Sequence, residues 1–517
     1  MASLVYLKNK ANGTTYVYEN ISTWNKEKKR CDTKRKLVGK LDPDSGKVVP
    51  CNPRGRPRKE GTEAPHASVI ATGPSLLLGQ ASESLGLPAM LKEAFGSEPA
   101  SKILTCAYFL VCEGKALSHA RAWSAANAHP YGGVLSNQRI SELLCCITNE
   151  RQLHFFSLWA KARCEIERMV PGIINVSCRS AIIEHAGFGY IRGHEKMPQA
   201  DLLLLVGGLS GMPILYEALD CAVKDAGALE NALEAIAWIG AMSPLVILDR
   251  AFYSEKALDS LCSERLKFIL GASFAAQWPN ELVAKVRGSI EGYSNFHSIG
   301  DYSFFAVTDN AKWKGGRCYS HVYYDSQQAA AEYAAFLVQL DILRAELEAG
   351  ASAGAKEEYS KYFEVKDTPK RGRRVTVRQE EVEAFKENRA GFFVVISNAI
   401  RDPVQALKLY REKDVAAENF GNLENGLDME GLRAPSCDAM PGLLFIQFIA
   451  QILYSALSVA MEESKLDGKY TLPELVGELK TISEVKLSGK KKPVNTKLTK
   501  SQREILSAFG VNLQAYV

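Results

Sequence analysis

The stretch Pro244-Leu-Val-Ile-Leu-Asp-Arg-Ala-Phe-Tyr253 constrains the fold most. Leu245 to Leu248 form a short apolar run of the kind that becomes a buried strand. Asp249 stands where that strand ends, and Ser254 is placed to cap a helix through Glu255, Leu258 and Leu261. A carboxylate at the carboxyl end of a buried strand lies where open α/β sheets build their sites. One aspartate does not hold a divalent metal, so the rest of the chain must supply its companions.

The surroundings of this stretch predict a mixed sheet. Ile173-Ile-Asn-Val176 reads as a strand, and Leu202-Leu-Leu-Leu-Val and Met212-Pro-Ile-Leu-Tyr read as a hairpin around Gly207-Gly208 and Ser210-Gly211. A helix over 228–239 precedes the Asp249 strand, and Phe268-Ile-Leu follows it. Further strands are expected at Tyr302-Ser-Phe-Phe-Ala-Val, Cys318–Tyr324 and Gly391–Ser397, with an amphipathic helix over 329–349. Lys370–Arg378 is a basic turn plus strand, read as a solvated hairpin tip. Leu407 up to Gly421 reads as one unbroken helix, and Pro441–Met461 as a long buried one. That last segment is the nearest approach to a membrane span, but Gln447 and Gln451 interrupt it.

The 517 residues suffice for several domains. Six segments are expected: a basic β module with an AT-hook-like segment (1–65), a helical DNA-binding or dimerisation domain (66–170), a first core part (171–270), an insertion (271–400), a last core part (401–465) and a helical tail (466–517). Charge is unevenly spread. Residues 1–60 hold 15 Lys/Arg and 6 Asp/Glu, or +9, while the whole chain is only +4. Such asymmetry points to a polyanionic partner. Within it lie Lys28, Lys29 and Arg30, then Pro53-Arg-Gly-Arg-Pro-Arg-Lys59, whose Arg54, Arg56, Arg58 and Lys59 flank Gly-Arg-Pro as in an AT-hook for the minor groove. The twelve cysteines include no Cys-x-x-Cys, which argues against zinc and for reduced thiols. Ser177, Cys178 and His185 match no nucleophile elbow, and Gly187–Gly193 matches no dinucleotide loop.

Taken in order, Leu4-Val-Tyr-Leu-Lys-Asn-Lys, Gly55-Arg-Pro-Arg-Lys, Met197-Pro-Gln, Asp249-Arg-Ala-Phe and the Tyr410 segment resemble bacterial insertion-sequence transposases of the DDE class, in the branch with a Tyr-Arg-Glu-Lys signature. The resemblance implies an α/β (α+β multidomain) chain with a ribonuclease-H-like core, double-stranded DNA as partner, and a bacterial, cytoplasmic and nucleoid-associated setting. It allows a homodimer, and it implies no small-molecule substrate and no membrane. It also implies Mg²⁺ held by three carboxylates for strand cleavage and transfer. Laid on this chain, the catalytic positions fall at Asn175, Asp249 and Ala417, so only Asp249 retains a carboxylate to bind metal. Tyr410 matches the Tyr, Lys413 stands for the Arg, and Glu424 for the Lys. Two of three ligands are thus replaced, which predicts a DNA-binding protein unable to cleave. Two other readings stay open: an active transposase using Glu184, Glu195, Asp201 or Glu418, and a structural or regulatory protein without a specific DNA site.

Overall fold

The computed structural model describes residues 2–26, 29–43, 45–51, 67–163, 166–177, 187–190, 196–219, 225–239, 244–264, 266–313, 316–352, 354, 356–368, 372–414, 439–487 and 493–514. The chain divides into two units, residues 1–68 with 486–492, and the remainder.

The first unit is built on four antiparallel strands, β1 (Ala2–Lys8), β2 (Thr15–Asn25), β3 (Arg30–Leu41) and β4 (Val48–Val49). A turn at Asn12-Gly13 joins β1 and β2, with Gly13 at φ 69° in the left-handed region that its missing side chain permits. The β2–β3 register shifts between Val17 and Tyr18, so one residue bulges.

The second unit opens with β5 (Ala67–Ala71) and six helices: α1 (Gly73–Ser84), α2 (Leu87–Phe95), α3 (Ser97–Glu113), α4 (Ala120–Ala126), α5 (Asn137–Cys146) and α6 (Asn149–Arg163). These pack around the helix Met440–Glu463, where Phe445, Ile446, Ile449, Ile452 and Leu453 are wholly buried. This helix is long and apolar enough to cross a membrane by composition alone. Here it is a core element against α1, α3 and α5. Its interrupting glutamines are buried too, and Gln451 donates to Ser455, whose hydroxyl donates to the Gly211 carbonyl.

The sheet that carries Asp249 contains β6 (Met169–Ser177), β7 (Gly187–Tyr190), β8 (Lys196–Gly207), β9 (Pro213–Leu219), β10 (Leu245–Leu248) and β11 (Lys267–Gly271). β9, β8 and β6 are antiparallel, while β6, β10 and β11 are parallel. With the short β7, which also pairs with β8, set aside, the spatial order of the remaining five is third, second, first, fourth, fifth, the order expected of a ribonuclease-H-like core. Between strands run α7 (Asp225–Ile239) and α8 (Glu255–Ser263). Ser254 caps α8 as its sequence predicts, accepting from the Ala257 amide at 3.0 Å. β10 and β11 are nearly continuous apolar runs because parallel strands are covered on both faces.

The segment 271–400, expected as an insertion, shares strands with the core sheet. After α9 (Gln277–Val286), its strands β12 (Phe296–Ile299), β13 (Tyr302–Trp313) and β14 (Gly316–Tyr324) continue the same sheet. Only the middle builds a core of its own: α10 (Ser326–Glu348), α11 (Glu357–Tyr362), β15 (Phe363–Thr368), β16 (Gly372–Val377) and α12 (Gln379–Asn388). α10 is less amphipathic than its sequence suggests, burying Leu340, Leu343 and Leu347 yet exposing Val338 and Ile342. β17 (Phe392–Ser397) then returns to pair antiparallel with both β11 and β14.

The helix expected from Leu407 to Gly421 is interrupted at Arg411, and its residues beyond 414 lie outside the described ones. α13 runs from Pro403 to Tyr410, starts at the Asp402 cap and stops at Arg411, after which residues 412–414 are helical again. The tail is not purely helical: strands Ser483–Leu487 and Val494–Asn495 lie between helices Leu472–Leu479 and Lys500–Ala508.

Candidate functional site

The site forms where two strand ends meet one helix end. β10 delivers Asp249 and β11 delivers Gly271, side by side, because the two strands are parallel and in register from Leu245↔Lys267 to Leu248↔Leu270. α13 lies across this sheet, burying Leu407 and Leu409 against Ile269 and Val395. It therefore brings Tyr410, its last residue, over Gly271. A β-carbon on Gly271 would lie 2.1 Å from the Tyr410 hydroxyl oxygen, so only glycine admits the ring there.

Tyr410 Oη donates to Asp249 Oδ1 at 3.1 Å. Lys413 Nζ lies 3.4 Å from the same oxygen and 2.9 Å from Asp414 Oδ1. One ammonium thus joins two carboxylates. Burial pushes the Asp249 carboxyl up, but the Lys413 charge, the Arg250 amide and the Tyr410 hydroxyl outweigh it and hold the group below its ordinary value. Tyr410 titrates well above the usual phenol range, chiefly through burial and then the neighbouring Asp249 charge. It is therefore a neutral donor at physiological pH.

A cleft of about 680 Å³ opens here, lined among others by Arg250, Tyr302, Arg389, Arg411 and Glu332. Arg411 stacks on Tyr302 with its guanidinium carbon 3.9 Å from the ring centre. Arg389 donates to the Phe274 carbonyl. Glu332 accepts from the Gly391 amide and from Gln328. Just outside the cleft lining, Glu412 accepts from Arg168 at 2.6 Å, and burial raises its pKa. Its other oxygen is buried with no partner among the described residues. This pair ties the chain after α13 to the entry of β6.

Each carboxylate lining the cleft has a partner: Asp249 Oδ1 meets Lys413 and Tyr410, Asp414 meets Lys413, and Glu332 meets Gly391 and Gln328. Among the described residues no group of three His, Cys, Asp or Glu is placed to hold a metal.

The other sequence candidates scatter. The one ladder pair between β6 and β10, Met169↔Val246, puts Gly172 level with Asp249. Asn175 lies three residues on, about 10 Å further by strand rise, with Asp201 of β8 as its cross-strand partner. β6 itself carries no Asp or Glu. Ala417, Glu418 and Glu424 lie outside the described residues, as do Glu184, Glu195, Lys28, Arg54, Arg56, Arg58 and Lys59. Lys29 is in the β2–β3 turn at φ 45°, and Arg30 is paired with Asp32 at 3.2 Å, both well exposed. Sequence reasoning missed Gly271, Arg250 and Arg411. Gly271 alone left a signal, as a glycine closing an apolar strand.

No protein-family model matches the chain, and no curated protein matches it either. Among solved structures it is similar to a piggyBac transposase, determined by cryo-EM as a synaptic complex with hairpin DNA. The identity is 10% and the TM-score 0.37, over 79% of this chain and 76% of that one.

Proposed function

We propose that the chain is a DNA-binding protein of transposase ancestry, from the bacterial Tyr-Arg-Glu-Lys branch, that holds double-stranded DNA without cutting it. The observation that carries the reading is the Lys413 ammonium seated on Asp249, at the carboxyl end of the fourth core strand. A two-metal mechanism places divalent cations against such a carboxylate to activate the attacking oxygen and stabilise the leaving one. Here a side-chain cation supplies the neutralising charge. The strand order and the +9 charge of residues 1–60 support the ancestry and the polyanionic partner respectively.

The test is an Mg²⁺- or Mn²⁺-dependent nicking assay on duplex DNA together with a binding titration across salt. The reading expects no cleavage, and an affinity that falls steeply with salt, log K dropping by about 0.9 per neutralised phosphate for each tenfold rise in salt. Metal-dependent nicking that Asp249→Ala abolishes would overturn the loss of catalysis. A salt-independent affinity would remove DNA as partner of the basic segment.

A further inference from the structure

We propose that one face of the β1–β4 sheet is a stacking platform for unpaired DNA bases, a proposal that rests on the DNA-binding reading and names the form of DNA this surface takes. The strand register sorts the side chains. Tyr16 lies opposite Lys40, Tyr18 opposite Leu37, Asn20 opposite Arg35 and Trp24 opposite Cys31, and alternation along β2 places these pairs on a common face. The Ser22–Thr33 hydroxyl contact at 3.2 Å, from the same ladder, agrees with this sorting. β1 adds Ser3, Val5 and Leu7, opposite Asn20, Tyr18 and Tyr16. The ladder residues of this face include three aromatic rings, two cations and no carboxylate. Glu19 and Asp32 both fall on the opposite face, with Lys34, Lys36 and Arg30.

Three observations point to bases as the occupant. First, the rings are accessible: Trp24 is 63% exposed, Tyr16 and Tyr18 are half-buried, and Arg35 and Lys40 are exposed. Second, the sheet does not cover itself, since Val17 is the one buried hydrophobic residue among the described residues of 2–51. A two-sided sheet with so little core leaves aromatic surface for something else to cover. Third, charge selects the occupant. A face with cations and no carboxylate is complementary to a polyanion, and a protein partner would find no acid to pair with its basic residues. Duplex DNA keeps its ring faces inside the stack and offers only edges and phosphates, whereas an unpaired strand offers ring faces to the tyrosines and Trp24 and phosphates to Arg35 and Lys40. Tyr16 to Trp24 extends about 27 Å along the strand, room for several nucleotides.

The experiment is fluorescence anisotropy of the full chain with an oligothymidylate of about 15 nucleotides and, separately, a duplex of equal length. Trp24→Ala should weaken oligothymidylate binding about tenfold, and Trp24→Ala with Tyr18→Ala by more, while Trp24→Phe retains most of the affinity. Duplex affinity should stay within about twofold in all three. Circular dichroism shows whether the alanine variants keep the sheet, and if they do not, Trp24→Leu, apolar but without a ring face, should lose oligothymidylate affinity to the same extent. Unchanged oligothymidylate affinity in the folded double variant, or equal losses on both DNAs, overturns the platform and leaves the DNA-binding reading standing. Absence of binding to either DNA overturns both.

Discussion

A β-carbon at position 271 would meet the Tyr410 hydroxyl at 2.1 Å and the Arg250 amide nitrogen at 3.1 Å. Neither can give way easily, because Tyr410 ends a packed helix and the amide belongs to the turn after β10. Gly271→Ala is therefore expected to cost about 1–3 kcal/mol, the usual range for overpacking. Adding Tyr410→Phe removes the closest atom and should recover part of that loss, read as a non-additive double-mutant cycle in urea unfolding. At this scale the sequence was half legible. Asp249 announced itself by closing an apolar run. That Lys413 would neutralise it could not be read, because 164 positions separate them in the chain and only the crossing of α13 over β11 joins them. The resemblance sets Lys413 in the place of an arginine, and in the structure its ammonium lies against two carboxylates.

Elements carry the site by their ends, and two features of their geometry were hidden in the pattern. The run from Leu407 to Gly421 contains no proline or internal glycine, so nothing local marks the break at Arg411. Arg411 keeps helical dihedrals, φ −69° and ψ −14°, and Ala417 and Glu418 lie outside the described residues. Polar burial in β14 was equally invisible. His321 is fully buried, with Thr308 Oγ1 at 2.9 Å and the Ile400 carbonyl at 3.0 Å on its two ring nitrogens. Desolvation pushes its pKa down to about 4. An unfolded histidine titrates near 6.5, so the unfolded chain binds the extra proton first as pH falls. Stability from this group is full above about pH 6.5 and declines toward pH 4, by up to about 3 kcal/mol. Urea midpoints for His321→Gln should fall less steeply than wild type over that window. An identical slope would show that other groups carry the acid sensitivity.

Most of the second unit shares one principal core, in which the helical layer, the helix Met440–Glu463 and the sheet strands are continuous, beside smaller cores within 326–388 and under α13. Phe445 is wholly buried among Phe95, Phe155, Phe156 and Phe448. Phe445→Ala should cost about 3–5 kcal/mol, and near-ultraviolet and far-ultraviolet circular dichroism should lose signal at one shared midpoint. Two separate midpoints would mean that helices and sheet unfold independently.

By itself the sequence determined the alternation of strands and helices, the buried run ending in Asp249, the hairpin of β8 and β9 and the basic start of the chain. These follow from local hydrophobic periodicity, turn chemistry and charge, which act over a few residues. The tertiary structure alone decided that the strands of 296–397 extend the core sheet, and that one end of α13 closes over Asp249 with a lysine in place of a free carboxylate cluster. It also decided that the β1–β4 sheet turns Glu19 and Asp32 away from the face that carries Tyr16, Tyr18 and Trp24. Those outcomes depend on register and on crossings between distant segments, where a shift of one residue turns a side chain to the other face.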